Sequence, residues 1–211
     1  MPDTEIKICG LSTPETVDAA VDAGATHIGL VHYEPSPRHL SLEDAAKLRR
    51  RIPPAVKVVL LLVNMEAVPT AQAIDAVKPD VIQFHGGETP EWLALIKDKT
   101  PFEVWKAWGV RSAESLANAL RYKGAVDMML YDAPAKKAPG GQGLALDWSL
   151  LAGHRHELPW GLAGGLSPAN VAEAIRLTGA PLVDASSGLE TAPGVKAVDL
   201  SRAFIEAVRT A

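Results

Sequence analysis

A single cysteine, Cys9, stands among 211 residues, which excludes an internal disulfide and any multi-cysteine metal site. The longest purely apolar run, 58–63, is six residues, far short of the roughly 20 that a membrane span requires. The first strand region carries Asp3, Glu5 and Lys7 where a signal peptide would be apolar, so the expected location is the cytoplasm. An excess of positive charge is missing too. Net charge is −4 with acids and bases scattered, and no basic stripe interleaved with aromatics occurs, which argues against a nucleic-acid partner. His154-Arg155-His156-Glu157 lacks the i, i+4 spacing of a helical zinc site and reads as a polar loop.

What is present is an ordinary soluble balance, 47% hydrophobic and 22% charged, in a length that suits one α/β barrel domain over residues 1–211. Short β-branched runs predict strands over 5–9, 27–31, 56–63, 81–84, 103–107, 128–131, 159–163 and 182–185. Helical periods predict helices over 14–23, 42–50, 67–77, 90–97, 113–121, 148–151, 168–177 and 198–208, the sixth being short. Thr13-Pro14, Thr89-Pro90 and Ser167-Pro168 place a capping hydroxyl before proline at the first helical position, and Ser112 is an ordinary cap. Gly24, Gly124 and Gly179 follow helices as left-handed C-terminal caps would. Eight strand–helix repeats at a spacing of roughly 25 residues predict a single-domain (β/α)8 TIM barrel. A doubly wound open sheet is the rival; strands recurring almost to the C-terminus, with polar residues at many strand ends, favour closure.

The strand ends collect a coherent set of side chains. Alternation along the first strand sends Ile6 and Ile8 to one face and Lys7 and Cys9 to the other, with Gly10 following, so the thiol is expected where the backbone turns open to solvent. Free cysteine also serves as a small buried hydrophobe, and both readings stand for Cys9. Lys7 would point into the barrel and find either an interior acid or the thiol, whose ionisation it would favour. Asp132 ends an apolar strand, where desolvation would raise its pKa toward that of a general acid. Arg38, after Pro35-Ser36-Pro37, has a fork suited either to a planar carboxylate or to a surface salt bridge. Gly164-Gly165 and Ser186-Ser187-Gly188 follow the seventh and eighth strands, where backbone N–H groups of a barrel cradle phosphate. Gln83 and His85 end the fourth strand, with His85 suited to orienting a substrate or bonding its own loop. His32 and Tyr33 are candidates for the mouth beside Arg38, Trp105 and Trp108 for packing. Gly140-Gly141-Gln142-Gly143, after Lys136, Lys137 and Pro139, has the composition of a loop that could cover the mouth.

Taken in order, Lys7-Ile8-Cys9-Gly10, Gly29-Leu30, Ser36-Pro37-Arg38, Gln83-Phe84-His85-Gly86 and Asp132-Ala133 form a recognisable series. It continues through Gly140-Gly141-Gln142-Gly143, Asp147-Trp148, Ala163-Gly164-Gly165-Leu166 and Asp184-Ala185-Ser186-Ser187-Gly188-Leu189-Glu190. The series resembles the phosphoribosylanthranilate isomerases of tryptophan biosynthesis from Lys7 to about Gly194. The family usually has threonine where Gln142 stands and an aromatic residue near His32. The resemblance implies an Amadori rearrangement of N-(5-phosphoribosyl)anthranilate to 1-(2-carboxyphenylamino)-1-deoxyribulose 5-phosphate, an aldose-to-ketose isomerisation. Only protons move, so it implies no metal and no redox cofactor. It also implies Asp132 as general acid at the furanose ring oxygen and Cys9, as thiolate, removing the C2′ proton. Arg38 would bind the anthranilate carboxylate, and the loops of Gly164, Gly165, Ser186, Ser187 and Gly188 the 5′-phosphate. The expected partner is this small substrate, with no nucleic acid and no membrane, and the chain a monomer or homodimer.

Three other readings remain at this point. One is a phosphosugar-binding barrel without catalysis, which would need neither Cys9 nor Asp132. Another is a Schiff-base aldolase using Lys106 or Lys57. The third is the related isomerase of the histidine pathway, which would be expected to use two aspartates.

Overall fold

The computed structural model describes residues 4–134 and 146–211. Eight parallel strands, β1 (Glu5–Cys9), β2 (His27–Val31), β3 (Lys57–Leu62), β4 (Val81–Phe84), β5 (Glu103–Gly109), β6 (Met128–Asp132), β7 (Trp160–Leu162) and β8 (Leu182–Ala185), close into one barrel in sequence order. The ring shuts where β8 returns to β1, with Lys7 opposite Asp184 and Ile6 opposite Val183. The open-sheet rival is thereby excluded for the described residues.

Alternation along each strand divides the buried side chains into two sets. Ile6, Ile8, Ile28, Leu30, Val58, Leu60, Ile82 and Phe84 face outward into the layer between barrel and helices, the largest apolar cluster. Removing each such side chain from water contributes about 1.5–3 kcal/mol. Inward, Val59, Val81, Trp105, Leu130 and Leu182 form an apolar plug. Buried polar residues Lys7, Gln83 and Asp184 lie on the same inward faces, nearer the strands' C-terminal ends.

The helices are α1 (Pro14–Ala23), α2 (Leu42–Arg49), α3 (Ala67–Val77), α4 (Pro90–Lys99), α5 (Ala113–Ala119), α6 (Val171–Thr178) and α7 (Val198–Arg209). Thr13, Ser41, Thr89 and Ser112 cap α1, α2, α4 and α5 through their hydroxyls, satisfying N–H groups that the helix itself cannot. Gly24 and Gly179 end α1 and α6 in the left-handed conformation.

Several expectations are corrected. The 148–151 helix is only a 3-10 turn, Trp148–Leu150, set by Asp147 accepting from the Ser149 N–H. Ser167 does not cap α6 at Pro168. Its own N–H is bound by the Asn170 side chain and its carbonyl accepts from Asn170 and Val171, so the chain turns once before the helix begins at Val171. Gly124 lies one residue beyond the cap of a 3-10 turn, and α3 ends on Lys78, a left-handed non-glycine. Between β8 and α7 the chain forms an unexpected hairpin, β9 (Glu190–Ala192) with β10 (Val195–Lys196). The glycine-rich segment 140–143, with Lys136, Lys137 and Pro139, lies outside the described residues. No helix among the described residues is long and apolar enough to cross a membrane.

His27 occupies the barrel interior at 1% exposure, its ring 5.2 Å from Trp105 and its Nε2 without a hydrogen-bond partner among the described residues. Burial, with Lys57 and Lys7 nearby, lowers its pKa to about 3. An unfolded histidine titrates near 6.5. Between these values the unfolded chain holds the extra proton. This contribution to stability is therefore complete above about pH 6.5 and is lost as pH falls toward 3, at up to about 1.4 kcal/mol per pH unit. Urea unfolding between pH 7.5 and 4.5 is expected to show that decline, and His27→Gln to flatten it. An unchanged slope in the variant would contradict the assignment.

Candidate active site

At the C-terminal ends of the strands the barrel opens into a cavity of about 690 Å³. Its wall includes Cys9, Arg38, Gln83, His85, Asp132, Gly164, Gly165, Ser186, Ser187 and Gly188, so the candidate catalytic and substrate-binding residues drawn from the strand ends meet in one place. Tyr33 lines it as well, whereas His32 turns away, its Nδ1 2.8 Å from the Leu40 carbonyl. Trp105 packs in the barrel plug, and Trp108 bonds the Ser115 carbonyl through its indole N–H. Neither Schiff-base lysine reaches the cavity. Lys57 pairs with Glu103 at 2.5 Å on the first residues of β3 and β5, and Lys106 pairs with Glu88 at 3.1 Å.

Cys9 is less open than its strand-end position suggested: it is 5% exposed and packs with Val31 and Leu61. Burial pushes its thiol pKa up; Lys7 pulls it down, Asp184 pushes it up again, and Lys196 opposes. The sum is a thiol above its ordinary pKa, not the depressed one anticipated. Lys7, fully buried, donates to Asp184 Oδ2 at 2.9 Å and also hydrogen-bonds Cys9. Desolvation, the largest single influence, favours its neutral form, but Asp184 and Cys9 together outweigh it and raise its pKa, which keeps the ammonium charged. Lys7 thus takes both partners that the sequence left open.

Asp132 ends β6, where burial raises its pKa, as the apolar strand implied. His85 and the Ala133 N–H, which donates to Oδ1 at 2.7 Å, pull the other way. His85 Nε2 lies 3.4 Å from Asp132 Oδ2, and desolvation lowers the histidine's pKa in turn. Both shifts disfavour charge separation, moving the carboxyl toward its protonated form and the imidazole toward its neutral one. The Gln83 amide lies 3.5 Å from His85 Nδ1.

The loops after β7 and β8 close over this acid. Gly164 has φ +86°, and a Cβ there would sit 2.3 Å from the Ala133 nitrogen and 2.7 Å from Asp132 Oδ1. Only glycine lets the backbone approach the carboxyl so closely. Gly188 lies against the Leu166 carbonyl, bringing the second loop onto the first, and Ser187–Leu189 coils into a 3-10 turn. Arg38 does not stand alone at the mouth. Its Nε and Nη2 each donate to one oxygen of Glu190 at 2.6 Å, and its side chain is still 21% exposed.

Asp184 was missed as a site residue, although its parity with Lys7 on a neighbouring strand could have named it as the interior acid. Its Oδ1 has no hydrogen-bond partner among the described residues. Glu190 and Lys196 could not have been found, because the hairpin that delivers them was not foreseen.

Alkylation of Cys9 by iodoacetamide is expected to rise with pH at a midpoint above that of free cysteine. Lys7→Met should move it higher still, by leaving the Asp184 anion unbalanced. A midpoint below that of free cysteine would contradict the raised pKa.

The arrangement has counterparts. A family model described as N-(5'phosphoribosyl)anthranilate (PRA) isomerase matches residues 6–207. N-(5'-phosphoribosyl)anthranilate isomerase of Erythrobacter litoralis is 61% identical over 208 residues, covering 99% of this chain and 100% of that protein. The crystal structure of phosphoribosyl anthranilate isomerase from Thermotoga maritima superposes with a TM-score of 0.90 at 33% identity, covering 99% of this chain and 100% of that one. Another phosphoribosyl anthranilate isomerase, in complex with reduced 1-(o-carboxyphenylamino)-1-deoxyribulose 5-phosphate, gives 0.87 at 32% with the same coverage. The chain belongs to the N-(5'-phosphoribosyl)anthranilate isomerase family.

Proposed function

We infer that this protein is the isomerase of tryptophan biosynthesis that rearranges N-(5-phosphoribosyl)anthranilate to 1-(2-carboxyphenylamino)-1-deoxyribulose 5-phosphate, with Cys9 and Asp132 as its base and acid. One observation carries the reading of the site. A carboxyl whose pKa burial raises and a buried thiol line the same cavity, beside an arginine and two glycine-containing loops.

The chemistry needs a proton donor first. Asp132, whose pKa burial raises toward that of a general acid, gives its proton to the furanose ring oxygen, and the ring opens to a protonated Schiff base. The cationic nitrogen acidifies the C2′ hydrogen and at the same time favours charge on a nearby thiol. Cys9, resting as a thiol, therefore gives up its proton to solvent in the open mouth as the cation appears, and the thiolate, stabilised by Lys7 and Lys196, is the base that takes the C2′ proton. Removal of the C2′ proton gives an enolamine, which tautomerises to the ketose.

Arg38 takes the anthranilate carboxylate, and backbone N–H groups of the Gly164-Gly165 and Ser186-Ser187-Gly188 loops take the phosphate. Gln83 and His85 line the wall between these ends. No step calls for a metal or redox cofactor. The small substrate is the partner, the cytoplasm the place of work, and the chain acts as a monomer or homodimer; a Thermotoga maritima relative is described as dimeric.

General acid and base groups contribute about 10²–10⁴-fold each. Cys9→Ala and Asp132→Ala are each expected to lower kcat by at least about 10²-fold with modest loss of product-analogue binding, followed by the loss of anthranilate-derivative fluorescence. Near-wild-type kcat in either variant would overturn that residue's role. A wild-type chain with no turnover would overturn the activity itself.

A further inference from the structure

Glu190 has no part in the chemistry above, yet it is the most heavily bonded carboxylate at the cavity's edge. Its side chain is 4% exposed. Oε1 accepts from Arg38 Nε at 2.6 Å and from Lys196 Nζ at 3.0 Å; Oε2 accepts from Arg38 Nη2 at 2.6 Å and from the Gly194 N–H at 3.2 Å. Lys196, equally buried, spends its other two protons on the carbonyls of Cys9, at 2.8 Å, and Ser186, at 3.0 Å. One ion-pair chain therefore joins the arginine, the end of the thiol-bearing strand and the turn after β8. Gly194, at φ +83°, seals it: a Cβ there would lie 2.4 Å from the Pro37 carbonyl, so the hairpin tip rests on the loop that carries Arg38.

A guanidinium has two edges able to bind a carboxylate in parallel, the Nε/Nη2 side and the Nη1/Nη2 end. Glu190 occupies the side. We propose that Glu190 is a positioning residue that fixes Arg38 so that only its Nη1/Nη2 end is offered to the substrate's carboxylate, with Lys196 holding Glu190 in register with Cys9 and Ser186. The proposal rests on the reading of Arg38 given above. Without Glu190 the arginine would have a free choice of edge and rotamer, and would meet the carboxylate in several poses. Lys196 also has a net electrostatic use. Arg38, Glu190 and Lys196 together carry one positive charge, so pairing the arginine with Glu190 still leaves a positive charge to meet the substrate's carboxylate.

The test separates positioning from mere packing by asking which substrate group the residue serves. Two ligands are compared by calorimetry: reduced 1-(o-carboxyphenylamino)-1-deoxyribulose 5-phosphate, and the same molecule with hydrogen in place of the ring carboxylate. Glu190→Gln is expected to raise Kd for the first by tenfold or more and for the second by less than twofold. Glu190→Asp keeps the charge that Lys196 needs but cannot span both arginine nitrogens, and serves if the glutamine variant does not fold. It should weaken the carboxylated ligand by at least threefold and leave the other unchanged. Equal losses for both ligands, or none for either, in a folded variant would overturn the positioning role while leaving the activity standing. A wild-type protein that binds neither ligand would instead overturn the reading of the site on which the proposal rests.

Discussion

The ion pair between Lys7 and Asp184 is the constraint on which the site depends. It lies on the seam where the first and last strands meet at matching register, with Lys7 fully buried and Asp184 nearly so on the cavity wall. Pairs of this kind are costly to desolvate, and apolar replacements are often no less stable. Its value here is electrostatic. The ammonium, kept charged by Asp184, also reaches the Cys9 sulfur, while the carboxylate it neutralises would otherwise press the thiol pKa higher. Breaking it by removing one partner would leave a bare buried charge, at a cost of about 3–5 kcal/mol.

Around that pair the mouth sets its thiol and its carboxyl in surroundings that disfavour their charged forms. Cys9 and Asp132 are both driven toward their protonated forms by the same physical cause, burial. His85, pushed down by burial as well, stands beside the carboxyl as a neutral ring. The permanent charges lie one step back, in the Lys7–Asp184 pair and in the chain from Arg38 through Glu190 to Lys196. Fixed charges thus surround Cys9 and Asp132. Charge that develops on a bound molecule meets a preorganised field, which costs little reorganisation.

Much of this was legible in the sequence because barrels obey two simple rules. Alternation decided which side of β1 faces inward, and so placed Lys7 and Cys9 correctly. Function gathers at the strands' C-terminal ends, and so Gln83, His85, Asp132, Gly164 and Ser186 could be collected without coordinates. Alternation says nothing about the balance of burial against neighbouring charge, which is why the direction of the Cys9 shift was misjudged. A one-dimensional reading also follows elements and passes over the loops between them. The β9–β10 hairpin has only five strand residues, with Pro193 and Gly194 at its turn, and no period long enough to register. Lys196 is the sharpest case: an exposed-looking lysine in sequence, it is almost wholly buried and bound to the backbone of a residue 187 positions earlier.

That last contact bears on how the molecule comes to exist. Closure joins residues 5–8 to 182–185, so the barrel's defining pairing is also among its longest-range, and such pairings form slowly because loop entropy is lost before contacts repay it. Until β8 and the hairpin arrive, Lys7 has no counter-ion and the Cys9 thiol has no neighbours on one flank. The thiol and part of what shields it thus lie at opposite ends of the pairing that shuts the ring, and its full burial waits on closure.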